Sequence, residues 1–281
     1  MPTPIPHHLV AEAVARALAE DLGGRGDITS LAVIPAEAEA RFVIAARQAG
    51  VLAGAAAARE AFSQSSELIT QDWRKADGDA LQAGDIIASV SGPARALLTA
   101  ERTALNFLGR MSGIATLTRA YADQTADAKA VIAHTRKTTP GLRALELHAV
   151  RAGGGASHRF GLDDAILIKD NHVAVCGSVG EAVRRARAFA GHMTRVAVEI
   201  DRLDQLHDAL AAGAESVLLD NFSLDDLRAA VAQTGGRAML EASGGVTLGT
   251  VGDIAATGVD VISVGALTHS APNFDFGMDE A

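Results

Sequence analysis

One cysteine, Cys176, stands in a chain of 281 residues, which excludes an intrachain disulfide and a cysteine-based zinc site. It reads as a small buried or half-buried residue. The nine histidines show no HExxH or other metal-ligand spacing. No apolar run reaches membrane-spanning length, so no membrane partner is expected. The opening MPTPIPHHLVAEAV has neither a basic region nor an apolar core, so no signal peptide is read there and a reducing cytoplasm is the expected setting. Aromatic residues make up 4% of a chain that is 48% hydrophobic, so the core must be built from Ala, Val, Leu and Ile. Few aromatics and a formal charge of −9 argue against nucleic-acid binding. Lysine is rare: Lys75, Lys129, Lys137 and Lys169 are the full set.

Charge is nevertheless uneven. Between Lys129 and Asp170 stand seven basic residues (Lys129, Arg136, Lys137, Arg143, Arg151, Arg159, Lys169) against four acids (Glu146, Asp163, Asp164, Asp170). A positive window in an acidic chain suits a pocket for a small anion, although a solvated face gives the same count.

The second half alternates short apolar runs with helical patterns. The runs are KAVIAHTRK, DAILIKDN, RVAVEID, SVLLDN, AMLEASGG and VISVGALTH; the helices include SVGEAVRRARAFA and SLDDLRAAVAQTG. Such alternation implies βαβ units, a parallel sheet and a barrel rather than an open sheet. The first hundred residues read as a separate α+β segment. RFVIAAR and DIIASV are strands, with turns at Asp77-Gly78 and Gly84-Asp85. Pro93 is expected in the first turn of a long helix through ARALLTAERTALNFLGRM. On that helix Leu97, Leu98, Leu105, Leu108 and Met111 form an apolar stripe that contains Glu101, which predicts a buried ion pair there.

Ligands of parallel barrels sit at the C-terminal ends of the strands. The six runs end in Arg136-Lys137, Lys169, Glu199, Asp220, Ser243-Gly244-Gly245 and Gly265. Helix caps are the competing use of acids at such ends. Ser223-x-x-Asp226 and Asp201-x-x-Asp204 supply candidate caps separately, which leaves Glu199 and Asp220 for function. Lys169 emerges from an apolar strand with no obvious outer surface to reach. Ser243-Gly244-Gly245 and Gly153-Gly154-Gly155 allow the close backbone approach that phosphates require, and ordinary tight turns give the same pattern. Cations, two carboxylates and glycine-lined strand ends together suit a polyanionic substrate with Mg²⁺.

The segments HTRKTTPGLR, GGGASHRFGL, LIKDNHV, LLDN, LEASGG and VGALTHSAP, with EDLGGRGDITS and ERTALNFLGRMSGIAT, together resemble the quinolinate phosphoribosyltransferase family from about Glu20 to Pro272. The resemblance implies a fold, an open and incomplete TIM-like α/β barrel with an N-terminal α+β sandwich domain. The domains expected are 1–105 and 106–270, with the tail 271–281 packing on the first. It implies a reaction: quinolinate and phosphoribosyl pyrophosphate give nicotinate mononucleotide, pyrophosphate and CO₂, with Mg²⁺, in NAD synthesis. Substrate contacts would come from Arg102, Thr135, Arg136, Lys137, His158, Arg159 and Lys169. Glu199 and Asp220 match the family's acidic pair and would help hold the metal; with Lys137 and Lys169 they form the expected catalytic set. Ser243, Gly244, Gly245, Val264, Gly265 and Ala266 match its phosphate-side loops, with His269 beside them. A homodimer sharing Arg102 across its interface is also implied. The chain departs from the family pattern at Leu147-His148, where Lys-Tyr is usual, and at Ser157, where Asn is usual.

Three other readings compete: a related pyrophosphorylase-like protein associated with molybdenum transport, a Schiff-base aldolase using Lys169 or Lys137, and a non-enzymatic anion binder. TTPGLR and the complete acid pair favour the quinolinate enzyme over the first. The crowding of cations and carboxylates favours phosphate chemistry over the second.

Overall fold

The computed structural model describes residues 3–281. In chain order its elements are α1 (His7–Leu22), α2 (Ile28–Val33), β1 (Glu39–Ala46), β2 (Gly50–Val51), α3 (Ala55–Ser65), β3 (Thr70–Trp73), β4 (Ala80–Leu81), β5 (Ile86–Pro93) and α4 (Ala94–Asp123). There follow β6 (Val131–Ala133), α5 (Arg143–Ala152), β7 (Ile166–Ile168), α6 (Asp170–Cys176), α7 (Val179–Phe189) and β8 (Val196–Ile200). The chain ends with α8 (Asp204–Ala211), β9 (Ser216–Asp220), α9 (Leu224–Thr234), β10 (Met239–Ser243), α10 (Val251–Ala255), β11 (Val261–Ser263), α11 (Ala266–His269) and β12 (Phe276–Glu280). These fall into two compact units. One comprises the residues up to Arg119 with 138–154 and 267–281; the other comprises 120–137 and 155–266. The expected boundary at residue 105 and the division after Arg119 both fall within α4, Ala94–Asp123.

The first unit is α+β. Its antiparallel sheet has the order β12-β1-β5-β3, so the last strand of the chain pairs with the first. Helix α1 buries Val10, Ala13, Val14 and Leu18, an i, i+3, i+4, i+8 face that packs on α3. Asp27 caps α2 by accepting the Ser30 N–H at 3.0 Å, and it also accepts from the Thr99 hydroxyl at 3.2 Å. Ser30, through its hydroxyl and backbone N–H, holds the Asp27 carboxyl below its ordinary range, with Thr99 adding to the effect. On α4, Leu97, Leu105, Leu108 and Met111 are buried as the stripe predicts, while Leu98 is half-buried.

Two expectations about α4 are corrected. Pro93 is the last residue of β5 rather than part of the first helical turn; the helix starts at Ala94, whose N–H is taken by Ala38 O at 2.8 Å. Glu101 is not in a buried ion pair: it is half-buried and its contact with exposed Arg102 is 4.0 Å. The buried pair lies one helical stretch further on, where Arg110 meets Glu146 of α5. Of Gly153-Gly154-Gly155, the first has a packing reason of its own. Gly153 caps α5, and a Cβ there would strike Ala115 O and Thr118 Cβ of α4. That glycine is required by helix-on-helix contact.

The second unit is the barrel. Six parallel strands have the order β6-β11-β10-β9-β8-β7, and β6 and β7 are not hydrogen-bonded to each other, which leaves the barrel open. The strands read as Val/Leu/Ile runs because helices cover their outer faces. Among the described residues no helix is long and apolar enough to cross a membrane.

Candidate active site

Strand register decides what faces the barrel interior. Side chains alternate along a strand, and paired residues share a face. Glu199 pairs with Leu218, Leu218 with Glu241, and Asp220 with Ser243. Glu199, Asp220, Glu241 and Ser243 therefore line one face, with Ala197, Ser216, Met239 and Val261 deeper along it. Those four deeper residues, with Glu241, His158 and Arg159, border a cavity of about 300 Å³. The expected strand-end acids and the serine thus converge on the C-terminal mouth, as the alternation requires.

The cations meet them there. Lys169 follows β7, and its Nζ donates to Glu199 Oε2 at 2.5 Å. Lys169 is 46% exposed and Glu199 14%, so a mobile ammonium sits on a half-buried carboxylate. The Lys169 N–H is taken by His172 Nδ1 at 3.0 Å, which fixes the backbone from which the side chain springs. Arg136 is half-buried, and its Nε is buried without a hydrogen-bond partner. Arg159 lies close enough to feel both Arg136 and Glu199: burial chiefly, then Arg136, push its guanidinium below the ordinary value, against the pull of Asp164 and Glu199. It stays protonated, because arginine's pKa is far above neutrality. Arg159 Nη1 donates to Ala165 O at 3.3 Å, while Arg136 keeps an unpaired Nε–H; two such cations can receive an anionic group.

The loops are tied down locally. Thr135 Oγ1 accepts the Lys137 N–H at 3.2 Å. The loop after Arg159 is closed by Asp164, which accepts the N–H groups of Phe160 at 2.5 Å and Gly161 at 3.0 Å. Burial alone would raise the Asp164 carboxyl, but these two donors outweigh it and hold it below the ordinary range. The Val264 N–H goes to Ala133 O at 2.9 Å, which joins the segment 264–266 to the end of β6. Gly244 has φ +93°, and a Cβ there would collide with Asn221. Asn221 is itself left-handed (φ 57°), donates its N–H to Ser243 O at 2.8 Å and its side-chain amide to Asp220 Oδ2 at 2.8 Å.

Glu199 and Asp220 are indeed spared from capping. Ser223 Oγ accepts the Asp226 N–H at 3.1 Å, as its spacing predicts. Asp201 does not cap: α8 starts at Asp204, and the Gln205 side chain takes the Asp201 and Arg202 N–H groups instead. The other expected residues belong to the α+β unit. Arg102 is exposed on α4, and His269 is exposed with Nδ1 2.7 Å from Ser270 Oγ. Leu147 and His148 are buried within that unit; His148 Nε2 lies 2.8 Å from Asp77 Oδ2. A larger cavity, about 670 Å³, lies in the α+β unit beside Arg16, Glu20, Asp21, Arg110 and Glu146, where Glu146 already takes up Arg110.

Sequence reading missed three residues here. Asn221 and Glu241 lie inside LLDN and LEASGG, and counting two back from Ser243 would have put Glu241 on the inner face. His134, buried two residues before Arg136, accepts the His158 N–H at 3.0 Å.

An open parallel barrel with arginines, a lysine and two carboxylates at one mouth defines a site for a small phosphorylated or carboxylated anion. The chain belongs to the quinolinate phosphoribosyltransferase family: residues 27–112 match the model of its N-terminal domain and 114–279 that of its C-terminal domain. It is 48% identical to the probable nicotinate-nucleotide pyrophosphorylase [carboxylating] of Bacillus subtilis, over 92% of this chain and 89% of that one. It is 46% identical to the nicotinate-nucleotide pyrophosphorylase [carboxylating] of Mycobacterium leprae, over 95% and 96%. The solved nicotinate-nucleotide pyrophosphorylase of Francisella tularensis superposes with a TM-score of 0.95 at 37% identity, covering 99% of this chain and 98% of that one.

Proposed function

We propose that this chain is a nicotinate-nucleotide pyrophosphorylase (carboxylating), which transfers the phosphoribosyl group of phosphoribosyl pyrophosphate to quinolinate with decarboxylation. The products are nicotinate mononucleotide, pyrophosphate and CO₂, in NAD biosynthesis. The observation that carries this reading is the gathering of Arg136, Arg159 and Lys169 with Glu199 at one barrel mouth. It is joined to family membership over nearly the whole chain.

The chemistry suits that inventory. The pyridine nitrogen is already a nucleophile, so the site needs no Ser-His or Cys-His activation. As the nitrogen attacks the anomeric carbon, the bond to pyrophosphate breaks and its electrons leave with the diphosphate. Positive charge builds on the ribose, where Glu199 and Asp220 stabilise it; negative charge builds on the leaving group, where Lys137 and Lys169 stabilise it. Lys169, resting on Glu199, exchanges that partner for a phosphate. The nascent pyridinium then draws in the electron pair of the breaking C–CO₂ bond, and the ring carbon takes up a proton. Arg136 and Arg159 grip the acceptor's carboxylates; Thr135 and His158 border that grip. The backbone at Ser243, Gly244, Gly245, Val264, Gly265 and Ala266 receives phosphate oxygens, with His269 assisting.

Glu199 and Asp220 offer the hard oxygen donors that Mg²⁺ takes, and no cluster of three or more His, Cys, Asp or Glu among the described residues would hold a metal alone. The donor set therefore fits a metal shared with substrate phosphates, where Mg²⁺ supplies neutralisation of the departing pyrophosphate. A cytoplasmic setting belongs to the same reading. The test is release of CO₂ that requires quinolinate, phosphoribosyl pyrophosphate and Mg²⁺ together; no release overturns it. Nicotinate should be a far poorer acceptor, because cations built for a second carboxylate would stay unpaired.

The assembly reading is a homodimer in which Arg102 completes the partner's site. Its support is an exposed guanidinium held only loosely, 4.0 Å from Glu101. Arg102→Ala and Lys169→Ala should each lose about nine-tenths or more of the activity alone. After subunit exchange they should recover about a quarter of wild-type activity, since about half the dimers are mixed and one of their two sites is intact. Mixed dimers that form without activity exclude sharing.

A further inference from the structure

Below the barrel mouth lies a group that the reaction above does not use. Glu241 is buried, with 9% of its side chain exposed, on the inner face of β10. Its Oε2 is 3.4 Å from His158 Nε2, and its Oε1 has no hydrogen-bond partner although it borders the 300 Å³ cavity. Desolvating a carboxylate for one long contact is unfavourable, and an apolar side chain of similar volume would pack this place better. Stability alone does not account for glutamate here.

The hydrogen bonds around His158 supply a reason. A backbone N–H can only donate. The Arg159 N–H points at His158 Nδ1 from 2.8 Å, so Nδ1 must carry a lone pair and the imidazole proton must sit on Nε2. Nε2 lies 3.4 Å from Glu241 Oε2. The same logic fixes the neighbour: the His158 N–H donates to His134 Nε2 at 3.0 Å, so His134 carries its proton on Nδ1, 3.3 Å from Thr135 O. If His158 took the opposite tautomer, its Nδ1–H would meet the Arg159 N–H, donor against donor. The backbone between His158 and Arg159 would then lose its anchor.

We propose that Glu241 is a positioning residue: by accepting the His158 Nε2–H it holds the one tautomer that fastens the Arg159 backbone, and so fixes where the Arg159 guanidinium stands, with Nη1 3.3 Å from Ala165 O and within reach of the fields of Arg136 and Glu199. The carboxylate acts through the imidazole and touches no substrate. This inference deepens the functional reading and rests on it for the role of Arg159. The ladder Glu241–His158–Arg159 itself stands independently of what the site binds.

Two variants test it. E241L removes the acceptor and fills the space; E241Q keeps an acceptor in its amide oxygen. Nitrogen NMR of the His158 ring in the free protein, assigned by the signal lost in H158Q, should show the Nε2–H tautomer in wild type and E241Q, and a mixture or the Nδ1–H form in E241L. In E241L the KM for quinolinate should rise about 10- to 100-fold, the scale of one weakened charge-assisted contact, with the fold retained. The kcat should change less than about threefold, because the lost contact serves ground state and transition state alike. E241Q should stay within about threefold of wild type on both constants. An Nδ1–H tautomer in wild type, an unchanged KM in E241L, or equal damage in E241Q and E241L each overturns the proposal. If the wild-type chain turns over no quinolinate, the functional reading fails, and the tautomer comparison still decides the ladder.

Discussion

Two ion pairs of the same chemistry are built in opposite ways. In the α+β unit, Arg110 donates to Glu146 through Nε at 3.0 Å and Nη2 at 2.7 Å, while the carboxylate also receives the Thr139 hydroxyl at 2.7 Å and the Thr139 N–H at 3.0 Å. Arg110 reaches Thr268 O and Ala271 O as well, so its fork is shared among three segments of the unit. Glu146 is 1% exposed and both of its oxygens accept hydrogen bonds, three at Oε1 and one at Oε2. In the barrel, Lys169 and Glu199 have each other at 2.5 Å, and the lysine is nearly half exposed. The first pair is closed, multivalent and planar, as suits a structural joint. The second joins a flexible point charge to an acid at a cavity mouth, as suits a partner that must be exchanged. Burial and valence, not charge type, separate scaffold from site.

Breaking the closed pair should have the largest effect. Glu146→Ala leaves Arg110 buried beside an empty place and strands the Thr139 N–H. It should destabilise the protein by about 3–5 kcal/mol, read as a lowered denaturation midpoint. A midpoint within error of wild type would remove the distinction between the two pairs.

Breaking the open pair should act on turnover. Lys169→Ala should cost about 1.5–3 kcal/mol of transition-state stabilisation, roughly 10- to 150-fold in kcat/KM, with the denaturation midpoint nearly unchanged. An exposed pair contributes only about 0–1 kcal/mol to stability. A large loss of stability with normal activity would reverse the assignment. The same logic, with the same rough cost of about 1.5–3 kcal/mol, applies to Lys137→Ala and Arg159→Ala.

A smaller effect separates caps from site acids. Ser223→Ala should cost about 1 kcal/mol of stability through loss of the α9 cap, while kcat stays at the wild-type level. Thermal unfolding and the CO₂ assay on one preparation check both halves.

The smallest effect is the pH dependence at Asp27. Its folded-state pKa lies below its unfolded value, so its contribution is full above the ordinary aspartate range and is lost as pH falls through the lowered pKa, below about pH 4. Asp27→Asn should flatten that part of the stability curve in acid and leave neutral pH kinetics unaltered. An unchanged acid limb would show that the cap carries no linked proton.

The inner face of the barrel was legible because it is periodic. Apolar runs ending in polar residues give parallel strands, strand ends give the mouth, and alternation gives the inner face; Lys169, Glu199, Asp220 and Ser243 follow from those three steps. Asn221 and Gly244 were half legible: both stand in the quoted motifs, but their mutual close approach needs two strands side by side. The buried ion pair was misplaced. An apolar stripe marks which helical face is covered, not what covers it, so the pattern pointed to Glu101 while the true partners, Arg110 and Glu146, stand 36 residues apart. The constraint on Gly153 was hidden for the same reason, since the contact it answers to comes from α4. Asp201 failed because α8 starts only at Asp204, with Leu203 at the cap position.

By itself, the sequence determined the alternation of strands and helices, the sign of charge at the strand ends and the family, since these depend on neighbours along the chain and on motif wording. Only the tertiary structure decided which arginine is spent on a glutamate and which keeps an unused N–H, which glycine answers to a helix and which to a loop, and which nitrogen of His158 carries its proton. Each of those depends on a partner far away in sequence. Hydrogen bonding and burial act over a few ångströms of space, and chain order does not encode that distance.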